Sequence, residues 1–452
     1  MFAVPYRLLA MLILASVSSA ALAQVIPSTA QPGREREQFR EPQAPRARPG
    51  GPAISLPSTT APPEAATTRL VVRRIQIVGS TVYSAEELAP LYQDLLGQRV
   101  PLQAVYDLAQ RITAKYGADG YVLSRAIVPP QELSPGGAAV RIEVVEGYVD
   151  KVEWPAGLTR YRNFFSDYSA KIIAQRPTNI RTLERYLLLA NDLPGLRFTT
   201  TLRASKTGKG ASTLIVEVTE KPVAWLGRFD NRGSPARGPL QFLISPTINN
   251  LFGQHEALTI AYAGVVPLKE LQFIAPSYRQ VLNSEGLTAF VNGSYSWGRP
   301  GTPDLELFEF ETRSTVIEAG ASYPVIRARE RNLTLTALAF MSDNYSFLLQ
   351  VPHNDDRLRG LRLRADADVA DSLGGINQFS ATFSQGVTGL GSTSNGNPLR
   401  SRDFGRVDFS KMEGYASRLQ PLVGRLSLLG TVAEVARGKV DRRYRSFVGS
   451  LG

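Results

Sequence analysis

The fold class predicted by the sequence is a pair of small α+β modules, each in the order strand, helix, helix, strand, strand, followed by a long antiparallel β meander. We read the meander as a transmembrane barrel. Three observations predict this. Helical and strand periodicities recur between residues 70 and 221 with a repeat of roughly 75 residues. From Val223 onward helical patterning disappears in favour of alternation. An export leader stands ahead of both.

The leader comes first. Arg7 precedes the apolar run Leu8 to Ala15, and small residues then end in Ala21-Leu22-Ala23, the layout of a cleavable secretory signal over residues 1–23. A membrane anchor needs about 20 apolar residues, which this run lacks. Residues 24–69 carry nine prolines between Pro27 and Pro63 and read as an extended linker. Only REREQFRE, Arg34 to Glu41, could form a short polar helix, one that is marginal in water by itself.

The first module is assigned to residues 70–147. LVVRRIQIVG opens it as a strand, with Val71, Ile75 and Ile77 on one face and Gly79 as a stop. Ser84 caps a helix over AEELAPLYQDLLG, and Glu87 completes a capping box. In the next helix Leu102, Val105, Leu108, Ala109, Ile112 and Tyr116 form one apolar face. YVLSRAIVPPQEL and AAVRIEVVEGYVDKVEW follow as strands around the turn Ser134 to Gly137. Residues 148–221 repeat the order, with YVDKVEW, SDYSAKIIAQ, TLERYLLLAND, RFTTTLRAS and STLIVEVTE as its five elements.

Residues 222–452 contain roughly eleven alternating segments of about 10 to 14 residues. In LRLRADADV, Leu361, Leu363, Ala365, Ala367 and Val369 face one way, and Arg362, Arg364, Asp366 and Asp368 face the other. Alternation alone is shared by a soluble sandwich, which buries the apolar face, and a barrel, which turns it to lipid. Strand length, the uninterrupted meander and the leader favour the barrel. Tyr295 and Trp297 near a strand end suit an interfacial aromatic girdle.

Composition removes most chemistries. With no Cys and only His255 and His353, disulfides, thiolate metal sites and a three-histidine site are excluded. A mean hydropathy of −0.11 argues against a helical membrane protein but leaves a barrel open. The net charge of +11 is spread along the chain without a compact basic block, and export argues against nucleic acid as its partner. GKGAS at Gly208 lacks the spacing of a phosphate loop and reads as a hairpin turn. The Gly-rich stretch from Gly389 reads as a surface loop. Asp366 and Asp368 beside Arg362 and Arg364 fit compensated charges lining a wet pore better than an acid/base pair. No enzyme, metal or cofactor is therefore expected.

Several strings, in order, resemble one family: VRRIQIVGSTVYS, VRIEVVEGYVDKVEW, LLLANDLPGL, RFDNRG, SPTINNLFG and FSKMEGYASRLQPL. Together with the leader and linker they resemble the transporters of two-partner secretion, also called hemolysin secretion/activation proteins, whose paired modules are POTRA domains. The resemblance implies an outer-membrane transporter with its modules in the periplasm. Its partners would be membrane lipid and a secreted client, a β-helical adhesin or cytolysin, carried without ATP. It also implies that REREQFRE corresponds to a pore-plugging helix, with a plain linker as the alternative. Asp230 and Gly233 match a family-typical position at the barrel start, although Asp, Asn and Gly also favour an ordinary hairpin turn.

Client capture points to a strand edge, since an added strand is held by sequence-tolerant backbone hydrogen bonds. Val122, Leu123, Ser124, Arg125, Ala126, Ile127 and Val128, before Pro129-Pro130, are the candidate edge, with a packed internal strand as the alternative. Arg362, Arg364, Asp366 and Asp368 are candidate pore-lining residues. The family barrel is larger than eleven strands, an odd count does not close in the ordinary way, and residues 436–452 lack alternation. A C-terminally truncated, incomplete barrel is therefore the expectation. The rival functions are an assembly factor for outer-membrane proteins of the related POTRA-barrel type, a passive porin and a soluble secreted β-rich binder.

Overall fold

The computed structural model describes residues 30–39, 45–49, 61–134, 137–402, 404–422, 424, 426–437 and 444–451. The leader over residues 1–23 lies outside them. Ahead of the modules stands one helical turn, α1 (Glu35–Gln38).

Module 1 contains β1 (Arg69–Val78), α2 (Ala85–Leu88), β2 (Arg99–Pro101), α3 (Gln103–Ala118), β3 (Arg125–Ile127) and β4 (Ala138–Val145), with sheet order β2-β1-β4-β3. The β1 register shifts between Val72 and Arg74 against its parallel partner β4. Such a bulge swaps the faces. Leu70 and Val72 point into the core before it and Ile75 after it, so the single face expected for Val71, Ile75 and Ile77 is not kept. On α3, Val105, Leu108, Ala109, Ile112 and Tyr116 are buried, as the spacing predicts.

The capping box forms reciprocally between Ser84 and Glu87. The helix it starts is only one turn long, contrary to the predicted AEELAPLYQDLLG helix. Pro90 has no N–H to continue the ladder, and the chain goes on as two 3-10 turns, Ala89–Leu91 and Gln93–Leu95.

Module 2 contains β5 (Tyr148–Glu153), α4 (Phe165–Ala174), α5 (Ile180–Asn191), β6 (Leu196–Ala204) and β7 (Ala211–Glu220), with sheet order β5-β7-β6. Both helices lie against this sheet over Val149, Tyr168, Ile172, Leu189 and Leu214. The joint between modules is held by backbone groups and the Ser124 hydroxyl. The Gly147 N–H donates to Ser124 Oγ (3.1 Å), the Ile180 N–H to the Gly120 carbonyl (2.8 Å), and the Thr178 N–H to the Gly147 carbonyl (3.0 Å).

Glu146, beside that joint, accepts hydrogen bonds from the N–H groups of Thr81 (2.7 Å) and Val82 (3.0 Å), from the Thr81 hydroxyl, and from the Tyr116 hydroxyl (2.8 Å). Burial works against its charge, but these donors outweigh it and hold the carboxyl below the ordinary glutamate range. A lowered folded-state pKa contributes stability that is present above the unfolded value and lost as pH falls through the folded one. The protection of the Thr81 and Val82 amides, their exchange rate relative to the intrinsic rate at the same pH, should therefore fall on acidification below the unfolded glutamate pKa. Glu146→Gln should show low protection already at neutral pH with little further response, and wild-type protection that is flat with pH would remove this role.

Among the described residues, the C-terminal half is one antiparallel meander of twelve strands in strict chain order. They are β8 (Val223–Asp230), β9 (Leu240–Asn249), β10 (Glu256–Val266), β11 (Gln272–Val281), β12 (Thr288–Gly298), β13 (Glu311–Arg327), β14 (Arg331–Leu348), β15 (Val351–Ala370), β16 (Ile376–Gly386), β17 (Ser410–Pro421), β18 (Ser427–Arg437) and β19 (Tyr444–Leu451). The expected eleven becomes twelve because residues 444–451, read as lacking a strand, pair with β18. Adjacent Phe447 and Val448 break the alternation that would have marked it. A short helix, α6 (Pro303–Leu307), sits between β12 and β13.

Burial in this sheet is inverted relative to a soluble sandwich. Leu361 and Leu363 are each 58% exposed and Trp225 is 77% exposed, whereas Ser294, Ser296, Ser314 and Glu318 are buried. Apolar side chains thus cover the outside, and the inside is polar apart from one apolar cluster around Leu243, Val265 and Phe273, which is a lipid-facing barrel wall. No helix among the described residues is long and apolar enough to cross a membrane; strands satisfy the backbone there instead. Connections at the module end are short (250–255, 282–287, 328–330, 371–375), and several at the opposite end are longer (299–310, 387–409).

Candidate functional site: a polar conduit and its entrance

The predicted pore-lining residues face the inside of the curved sheet. Arg362 Nη1 pairs with Glu318 (2.9 Å) on β13, and Arg364 with Asp366 (2.7 Å). Asp368 accepts hydrogen bonds from Asn332 Nδ2 (3.0 Å) and from the Ala47 N–H. Their neighbours Leu361 and Leu363 point outward, as period-two alternation requires.

The N-terminal segment occupies the same space. Arg36 on α1 pairs with Glu318 (2.6 Å), and Gln38 donates to Gln241 (2.8 Å) on β9. Flat, β9 and β13 would lie about 19 Å apart at the usual strand spacing. One helical turn touches both, so the sheet is curled around α1. Between them Phe39 packs on Phe273 of β11, ring centroids 5.6 Å apart.

At the end away from the modules, Glu35 pairs with Arg237 (3.1 Å), and Arg237 also donates to the Ala30 carbonyl (2.8 Å). At the module end the Arg48 N–H donates to the Arg329 carbonyl (2.8 Å). The described parts of residues 30–49 therefore mark a path along the lumen. These contacts join positions more than 200 residues apart, and no local periodicity signals them.

Asp230 accepts from the Arg232 N–H (2.9 Å) and from Gln241 Nε2 (2.6 Å). The first bond builds the turn and the second reaches, through Gln241, to Gln38. At Gly233 a Cβ would enter the carbonyl oxygen of Gly238, so this tight loop needs glycine.

The candidate edge is narrower than its seven residues suggest. Only Arg125–Ile127 form β3, an outer strand of the module 1 sheet. Val122 and Leu123 turn instead into the core of module 2, and the buried Ser124 holds the joint. Residues 122–124 are thus joint rather than free edge. Sequence reasoning missed a longer one. Among the described residues β6 pairs only with β7; it runs nine residues, exposes Thr199, Thr200 and Thr201, and begins where module 2 meets the barrel. Chain order places β6 between α5 and β7; that it lies at the sheet margin follows from a pairing order no local pattern carries.

Module 2 is clamped to the rim. Asp192 takes Arg327 in two bonds (2.7 and 2.9 Å), and Glu285 takes Arg185 (3.1 Å) and the Tyr186 hydroxyl (2.9 Å). The turn after β9 inserts His255, which bonds the Arg162 carbonyl (2.6 Å) and lies 4.9 Å from the Phe164 ring. Burial pushes this imidazole below its usual pKa range.

Known proteins match these features. Residues 70–147 match the POTRA domain of ShlB type. The heme/hemopexin transporter protein HuxB of Haemophilus influenzae strain 86-028NP is 27% identical over 177 residues, 39% of this chain and 31% of that protein. The outer membrane transporter CdiB of Dickeya dadantii strain 3937 is 24% identical over 379 residues, 80% of this chain and 64% of that protein. The chain thus spans less than two thirds of each of these relatives. Among solved structures, CdiB from Escherichia coli superposes with a TM-score of 0.59 at 20% identity, covering 85% of this chain and 72% of that one. CdiB from Acinetobacter baumannii gives 0.51 at 13% identity, with coverages of 97% and 79%. The resemblance to two-partner secretion transporters therefore holds in homology and in POTRA-plus-barrel architecture, with the barrel in the outer membrane and the POTRA domain of residues 70–147 in the periplasm. These relatives are transporters.

Proposed function

We propose that this chain captures an unfolded exported polypeptide in the periplasm and conducts it through the barrel lumen to the cell surface. The observation that carries the reading is the N-terminal segment itself. A polar wall already accommodates extended chain and one helical turn, with backbone and side chains engaged by Glu318, Gln241 and Asp368. A client of β-helical adhesin or cytolysin type fits this path, because it would travel extended and fold only outside. The capture edge is β3 and, more extensively, β6, where added strands gain backbone hydrogen bonds without a sequence requirement. At rest α1 fills the lumen as a plug. The reading includes no catalytic step and no cofactor.

Adjacent residues on opposite faces provide the test. A photo-crosslinking amino acid at Thr200 or Arg362 should trap a co-expressed secreted client, and one at Leu361 should trap none. Equal trapping at Arg362 and Leu361, or none at Thr200 and Arg362, would rule the conduit out.

A further inference from the structure

Where β6 starts, a cavity of about 250 Å³ opens between module 2 and the lumen. It is lined by Arg46 from the N-terminal segment, Arg197 from β6 and Arg279 from β11, with Asp192 as its only carboxylate among the described lining residues. Asp192 is already engaged in two bonds by Arg327, and Arg46 stands 3.7 Å from it. Among the described residues, the Arg197 guanidinium donates only to the Asn191 carbonyl (2.8 Å). The Arg279 guanidinium forms no hydrogen bond or ion pair among the described residues; Arg46 and Arg197 act on it as like charges and Asp192 as an opposite one.

Three guanidinium groups thus line one space with a single carboxylate that is shared with Arg327, which leaves the space with an excess of positive charge that an entering anion would offset. Guanidinium forks match carboxylates in two-point geometry. Ser322 and Thr334 also line the space, and their hydroxyls can supply neutral donors.

We propose that this cavity is a carboxylate-binding station that engages acidic side chains of an extended polypeptide as it passes from the β6 edge into the lumen. Its position selects a peptide source: one wall is the start of the capture strand and the other is the lumen itself. Arg46 adds a coupling. It belongs to the segment that occupies the resting lumen, so a carboxylate seated here relieves the repulsion that Arg197 and Arg279 exert on that segment's lower end.

The inference rests on the conduit reading for its purpose, but binding is measured without export, so the two fail separately. Fluorescein-labelled octaglutamate is titrated by anisotropy into the purified full chain in detergent micelles. We expect binding that weakens with added salt, as charge pairing at a wet site does, while octalysine and octaserine stay unbound. The double variant R197E/R279E should lose about tenfold or more in affinity. R197Q and R279Q singly should each lose part of it with the circular dichroism spectrum unchanged, which separates site loss from misfolding. Octaglutamate binding no better than octaserine, full affinity in the folded R197Q and R279Q variants, or displacement by inorganic phosphate at matched ionic strength as effective as by unlabelled octaglutamate would each overturn the proposal.

Discussion

Glu35→Ala is expected to open the reconstituted channel. The side chains of Glu35 and Arg237 are 4% and 2% exposed, so water cannot replace the lost partner. The substitution also removes the acceptor for the Gly33 N–H, 2.8 Å away. Removing one member of a buried ion pair costs about 3–5 kcal/mol, largely because the other charge stays buried. That cost falls only on the state in which α1 lies in the lumen. A bias of about 3 kcal/mol corresponds to more than a hundredfold in the equilibrium between plugged and unplugged states. Single-channel recordings in planar bilayers should show long open periods in E35A. Glu37→Ala, on the exposed side of α1, should behave like wild type. Identical traces for E35A and wild type would take α1 out of any gating role.

Gly147→Ala is expected to break the joint between the modules. A Cβ there would lie inside the contact radius of the Leu123 carbonyl oxygen and against the Leu123 Cβ. Leu123 has nowhere to retreat, since its side chain sits in the module 2 core and the next residue holds the Gly147 N–H. Overpacking of this kind costs about 1–3 kcal/mol, and backbone oxygen yields less readily than a side-chain tip. The strain should release locally. The Tyr148 and Val149 amides, bonded to the Gly210 carbonyl and Thr178 Oγ1, should exchange faster, and a protease should cut between the modules. Client export should fall with them because β6 would no longer be held in line with module 1. Unchanged exchange and cleavage in G147A would show that the joint bends freely.

Much of this architecture was legible because period-two and 3.6-residue patterns are local. The α3 face, the capping box and the outward Leu361 and Leu363 all follow from spacing alone. Where expectation and structure part, a local rule met something beyond its range. Pro90 ended a helix that its apolar pattern continued, and a bulge at Val72–Arg74 switched the inward face of β1. β19 pairs through its backbone although its residue sequence lacks period-two alternation. The site was less legible than the fold. The lining of Arg362 to Asp368 could be read from alternation, whereas the occupant of the lumen, the β6 margin and the three-arginine cavity depend on pairings across long sequence separations.

The strict neighbour order of the twelve strands bears on how such a wall is built. Every strand docks on the one synthesised just before it, so each addition closes only a hairpin-sized loop, whose entropy cost is small. Assembly can then proceed as a zipper, with no segment waiting for a distant partner, and low contact order favours speed. The growing ribbon exposes one unsatisfied rim at each step, and that moving rim is where an insertion catalyst or an aggregating neighbour would attach.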